Sequence, residues 1–139
     1  MKKTRVRMMV AGCAMLMAGC ARMHSTGPIP GTDELGEITL SVGETRLLNE
    51  DVSVTFGRVG DDSRCPANVQ CITAGNAVVT LLIQERGERS EPLQLNSHSN
   101  PRSRTEEGMR FEVISLDPLP TAGQGPPSTY TVRLRITRA

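Results

Sequence analysis

The chain has 139 residues, which is room for one domain. Its formal net charge is +1, but Lys2, Lys3, Arg5 and Arg7 are four of the 16 Lys+Arg set against 15 Asp+Glu, so residues 20–139 carry a formal charge of −3. That acidic balance excludes a phosphate-seeking basic surface, and with one Tyr and no Trp there is no stacking platform for bases or sugars.

The first twenty residues, MKKTRVRMMVAGCAMLMAGC, read as a targeting segment: a cationic start, then a small, apolar run from Met8 to Gly19. That run is shorter than the roughly 20 apolar residues needed to span a hydrocarbon core. Leu16-Met17-Ala18-Gly19-Cys20 resembles the lipobox of bacterial lipoproteins. The resemblance implies a signal peptide over 1–19, cleavage before Cys20, and acylation of the Cys20 thiol and new amino group. Val10-Ala11-Gly12-Cys13 matches the letters better but leaves an apolar run of only about five residues, below the roughly 7–15 such a segment needs. Two or more acyl chains hold a protein on a membrane where one does not, at about 0.8 kcal/mol per buried methylene. Ala21 after the lipidated cysteine resembles outer-membrane lipoproteins, so the expected location is the cell envelope, facing the periplasm in a Gram-negative cell.

Residues 20–36, with Gly, Pro and Ser and no apolar period, are expected to form the lipidated start and a flexible tether; His24 lies in it as a solvated side chain. A β-domain is expected over 37–139. Ile38, Leu40 and Val42 alternate with polar residues, Gly43-Glu44 turns, and Thr45 to Leu48 is expected to pair back. Asn49-Glu50-Asp51 turns again. Val52, Val54 and Phe56 keep the period, which slips by one at Gly57, the mark of a β-bulge. Ala77 to Ile83 is apolar on both faces and reads as a central strand. Gln84 to Glu91 is a charged hairpin tip, and Pro92 assigns the short strand through Leu93 and Leu95 to an edge. Asn96 to Gly108 is polar, with Ser103 and Glu106 spaced to cap one helical turn. Phe111 to Leu116 is a strand, and the prolines at 118, 120, 126 and 127 keep 118–128 out of any sheet. Tyr130, Val132, Leu134 and Ile136 alternate with Thr131, Arg133, Arg135 and Thr137, one face buried and one basic. No helical period runs through the chain. The expected fold is all-β, an antiparallel sandwich or small barrel of about 6–8 strands with a core of Val, Leu and Ile.

The stretch Asp61–Ala77 carries the chain's most specific pattern. With Cys13 removed and Cys20 acylated, Cys65 and Cys71 remain as a pair in an exported, oxidising setting, so they are read as a disulfide. A ring of about seven residues contributes roughly 2–2.5 kcal/mol on the chain-entropy model. A redox pair calls for two intervening residues and a zinc site for further ligands, of which only His24 and His98 are on offer. Asp62 suits turn amides, Arg64 suits Asp62 or loop carbonyls, and Gly75 suits a positive φ before the strand.

Asp62-Ser63-Arg64-Cys65-Pro66, then Val69-x-Cys71, then Ala74-Gly75-x-Ala77 resembles a family of small, uncharacterised bacterial envelope proteins, many of them lipoproteins. The likeness covers roughly 37–137, including Pro118-Leu119-Pro120 and Tyr130 near the end; relatives often carry Trp where this chain has Thr73. It implies fold and location but no reaction.

No catalytic residue, metal ligand or cofactor is assigned. Ser63, His98 and an aspartate lack a nucleophile-elbow context. Asp33, Asp61 and Asp62 lack calcium-loop spacing. Arg133 and Arg135, with Arg102, Arg104 and Arg110, are read as a solvated face rather than a stripe for an anionic partner. The expected function is a lipid-anchored, non-catalytic envelope module that binds or scaffolds other envelope components, with an envelope protein as the candidate partner besides the membrane. The alternative is an inhibitor or ligand-binding lipoprotein acting through the Cys65–Cys71 loop or the proline-rich 118–128 loop; a hydrolase ranks last.

Overall fold

The computed structural model describes residues 34–139; the leader, Cys20 and most of the expected tether lie outside them. Eight strands follow in chain order: β1 (Glu34–Ser41), β2 (Thr45–Leu47), β3 (Val52–Gly60), β4 (Val78–Glu85), β5 (Glu91–Asn96), β6 (Ser103–Glu106), β7 (Met109–Asp117) and β8 (Thr131–Arg138). They form two antiparallel four-stranded sheets, β1-β8-β7-β6 and β2-β3-β4-β5. Period-two alternation gives each sheet one apolar face, and those faces share one core: Leu40, Phe111, Val113, Val132 and Leu134 from one, Val54, Phe56, Val79, Leu81 and Leu95 from the other. The architecture is a sandwich. Each sheet contributes one phenylalanine, and both are fully buried.

The expected bulge is present, since the β3–β4 register shifts between Phe56 and Arg58. β4 is central, flanked by β3 and β5, which explains its apolar run on both faces. β5, with Pro92, is an edge. The other edges are guarded as well: β2 is three residues long, β6 is four, and β1 carries a register shift between Glu34 and Gly36. On the outer face of the first sheet, Glu37 and Glu112 flank Arg135 in cross-strand register, with Arg135 nitrogens 2.8 and 3.6 Å from their carboxylates. Arg133 also lies 3.9 Å from Glu37, so the basic face of β8 is laced with acids from its neighbours.

Three expectations change. β1 starts at Glu34, inside the stretch read as tether, because Glu34 pairs with Thr137 across the bulge. Thr45 to Leu47 pairs with β3 in the opposite sheet rather than back on β1. Gly43, at φ +85, turns the chain there, and its N–H donates to the Phe56 carbonyl at 2.7 Å. Finally, Ser103–Glu106 is a strand and not a capped helical turn. Glu106 pairs with Met109 across a two-residue connection in which Glu107 and Gly108 both have positive φ, +47 and +68. That is the geometry of a type I′ hairpin, whose twist suits antiparallel strands. Asn-Gly or Asp-Gly announces such a turn; Glu-Gly does not. The negative charge of Glu85 nearby, and a hydrogen bond with it, push the Glu107 carboxyl above its usual range. Glu107→Asn removes both the left-handed strain and the charge repulsion. Urea denaturation should show it more stable than wild type; equal or lower stability would show that the turn is not strained.

Candidate functional site

The β3–β4 connection, residues 61–77, is built as a second small layer at one end of the sandwich. Its two arms pair with each other: Ser63 N–H donates to the Asn76 carbonyl at 2.7 Å and Cys65 N–H to the Ala74 carbonyl at 2.8 Å. Backbones approach so closely here that a Cβ on Gly75 would lie 1.9 Å from the Ser63 carbonyl oxygen, and Gly75 has φ +68. Beyond the arms, Cys65 and Cys71 close the tip, with Cα atoms 5.9 Å apart and sulfurs at bonding distance. The Val69 N–H donates to the Pro66 carbonyl at 3.3 Å within that ring.

Arg64 points inward and is buried, 3% exposed. Burying a guanidinium is costly unless its donors are met. Here Nε and Nη2 form a fork on the two Asp62 carboxylate oxygens, both at 2.8 Å. Nη1 donates to the Leu116 carbonyl and Nη2 to the Pro118 carbonyl at 2.8 Å. Asp62 also accepts from the Arg64 N–H at 3.2 Å and from the Tyr130 hydroxyl at 3.0 Å. The guanidinium lies over the Tyr130 ring, 5.9 Å from its centroid. One ion pair therefore joins the cysteine loop, the end of β7 and the start of β8. Burial pushes the Asp62 carboxyl up, but hydrogen bonds from Arg64, its charge and the Tyr130 hydroxyl outweigh that and hold it below its usual range. For Tyr130, burial leads, and the bond to and charge of Asp62 add to it; together they raise the phenol above 10.0 against the opposing charge of Arg64.

The proline-rich loop is fastened to the same unit. Ala67 N–H donates to the Pro120 carbonyl at 2.9 Å, and Ala122 N–H to the Asn68 side-chain oxygen at 2.8 Å. Asn76 anchors the other side: its Oδ1 accepts from the His98 and Ser99 N–H groups, both at 3.1 Å, and its Nδ2 donates to Asn96 at 2.8 Å. The two loops that the sequence offered as separate candidates are one bonded surface. It displays Val69, 44% exposed, and Ile72, fully exposed at its tip.

The motif residues divide accordingly. Asp62, Arg64 and Gly75 are interior fittings, Ser63 bonds the Asn76 backbone, Pro66 turns the ring, and Val69 faces solvent. Ser63 and His98 are not joined: His98 Nδ1 lies 3.0 Å from Ser97 Oγ instead. Asp62 is spent on Arg64 and Tyr130, Asp33 is outside the described residues, and among the described residues no group of three acids, cysteines or histidines is placed to hold a metal ion. Sequence reading missed Asn68 and Asn76, which look like ordinary loop residues, and it placed Tyr130 in the last strand without its partner Asp62. No family model matches the chain, and no match was found among curated proteins or solved structures.

Two measurements check this construction. Gly75→Ala meets both a left-handed φ and a backbone clash, whereas Gly43→Ala at φ +85 meets open space. Gly43→Ala is expected to cost about 1 kcal/mol and Gly75→Ala clearly more; equal losses in urea denaturation would mean that the arms are not in contact. Because Tyr130 is the single tyrosine and there is no tryptophan, tyrosinate absorbance reports this residue alone. It should titrate above 10.0 in the native protein and shift downward in Asp62→Asn, where the carboxylate that disfavours the phenolate is gone. An unchanged midpoint in that variant would remove Asp62 as the cause.

Proposed function

We propose that the protein is a lipid-anchored, non-catalytic module of the cell envelope that binds a partner protein through the joined face of the Cys65–Cys71 and 118–128 loops. The observation that carries the binding face is the pairing of a rigid mount with an exposed apolar tip. Arg64, Asp62 and the Ala67–Pro120 and Asn68–Ala122 bonds hold the loops in place, while Ile72 is fully exposed. A loop ordered before association loses less conformational entropy on binding, and an apolar side chain at its tip is a fitting anchor. Anchoring is supported by the lipobox-like Leu16–Cys20 and envelope residence by the motif over 62–77. An inhibitor of an exported enzyme would use the same face, and the identity of the partner separates the two.

Photo-crosslinking in cells from position 72 and position 124, without reductant and with adducts identified by mass, tests the reading. A discrete protein adduct is expected from position 124, lost when Ile72→Asp is introduced alongside it, while the thermal midpoint of Ile72→Asp stays within about 2 °C, as for a surface change. An anchored, folded protein that gives no adduct from either position would overturn it.

A further inference from the structure

No residue from Cys65 to Ala74 is buried, and none from Pro118 to Thr129. Core packing therefore fixes neither segment, and their order rests on covalent and hydrogen bonds. Among the described residues, the stretch 119–129 is tied to the rest of the domain by hydrogen bonds at two places. The Pro120 carbonyl accepts from the Ala67 N–H at 2.9 Å, and the Ala122 N–H donates to Asn68 Oδ1 at 2.8 Å. Both partners lie inside the ring that Cys65 and Cys71 close. The ring's own backbone bond is the Val69 N–H to the Pro66 carbonyl, at 3.3 Å. Cys71 is exposed, which opens the closing bond to an attacking thiolate. The base of the unit is built differently. Arg64 and Ala77 are buried, and the Ser63 N–H donates to the Asn76 carbonyl at 2.7 Å, outside the ring. From that base Arg64 also holds the Pro118 carbonyl.

We propose that the Cys65–Cys71 disulfide is a redox switch for both loops: reduction by a dithiol frees residues 66–73 and 119–124, while the sandwich and the Arg64–Asp62–Tyr130 knot persist. The reductant is dithiothreitol in the test tube and an exported protein dithiol in the cell. One of its thiolates attacks Cys71 Sγ, the Cys65–Cys71 bond breaks as a mixed disulfide forms, and Cys65 leaves as a thiolate that takes up a proton. The reductant's second thiolate then attacks its own sulfur in that mixed disulfide, and Cys71 is released and protonated in turn. Two electrons and two protons pass to the cysteine pair, and the dithiol becomes a disulfide. Opening the ring returns chain entropy to residues 66–70, which no buried side chain holds. Ala67 and Asn68 then no longer stand as fixed partners for Pro120 and Ala122, so the second loop loosens with the first. The switch rests on this geometry alone; its effect on partner binding rests on the reading proposed above.

The test is hydrogen exchange read by ¹H–¹⁵N spectroscopy on the full-length chain in detergent, before and after dithiothreitol without denaturant. Alkylation located by mass should find the Cys65 and Cys71 thiols released. The Ala67 and Ala122 amides should then exchange at least tenfold faster, while the Ser63 amide stays within about threefold of its oxidised rate. The variant Cys65→Ser/Cys71→Ser fixes the open state for two further readouts. Its Tyr130 should still titrate above 10.0, because Asp62 keeps its place beside the phenol. In cells, the photo-crosslink from position 124 should be lost in it. If the wild-type chain gives no adduct from that position, the binding reading fails, and the exchange rates still decide the switch. A disulfide that reacts only in denaturant, unchanged Ala67 and Ala122 amides in the reduced chain, or loss of Ser63 protection along with theirs would overturn the inference. So would a serine variant that does not fold, or one whose Tyr130 titrates at its ordinary value. A wild-type adduct that persists undiminished in the folded serine variant would overturn the link to binding.

Discussion

The bidentate pair between Arg64 and Asp62 is where the loop end of this sandwich is held together. A guanidinium taken out of water loses solvation worth several kcal/mol, and mutual attraction to one carboxylate offsets that only when the remaining donors are also met. Here the Leu116 and Pro118 carbonyls meet them, and the Tyr130 hydroxyl takes a remaining lone pair of Asp62. The arrangement follows from the fold in a specific way. One carbonyl belongs to Leu116, near the end of β7 and in register with Val132, and the other to Pro118, where the chain has left its sheet for a proline-rich loop. An arginine from the opposite sheet's connection supplies donors to both. Removing either ion would strand the other in the interior, which is why the pair determines the position of both loops.

The rest of the molecule is consistent with that division of labour. The core is mostly aliphatic, with Phe56 and Phe111 as its two large aromatic fillers. Edges are short, bulged or interrupted by proline, and the outer face of β8 is paired with Glu37 and Glu112, so the sheet surfaces offer little for another chain to add to. What remains distinctive is at the loop end: Ile72, fully exposed next to the braced Cys65–Cys71 ring. Ordering a loop costs roughly 1–2 kcal/mol per residue in backbone entropy. The hydrogen bonds around Asn68 and Asn76 bear on that cost directly. Each replaces a turn's water-facing group with a fixed partner across the gap between loops.

Much of the sandwich is legible from local rules. Alternation over Val132, Leu134 and Ile136 specifies a strand with one buried face, the parity slip at Gly57 specifies a bulge, and Pro92 specifies an edge, because each depends on side-chain direction or a missing N–H within a few residues. The positive φ of Gly75 belongs with them. Where the local signal is ambiguous it misleads: Ser103-x-x-Glu106 has the letters of a helix cap, yet Met109 and Phe111 beyond it are core residues, and burying them draws the segment into a hairpin.

By itself, the sequence determined the class of fold, most strand positions, and, within 61–77, the cysteine pair, the Asp62–Arg64 partnership and the positive φ of Gly75, since periodicity and turn chemistry act over short separations. Which strand β2 joins, that the cysteine and proline-rich loops are bonded to each other, that Arg64 reaches carbonyls more than fifty residues away, and that Arg102 Nε ends up buried without a partner were decided only by the tertiary structure. The physical reason is that these are contacts between segments whose sequences carry no mutual signal. A backbone carbonyl looks the same in every residue, and whether it is met by a strand, a water or a buried arginine depends on where the two sheets place it.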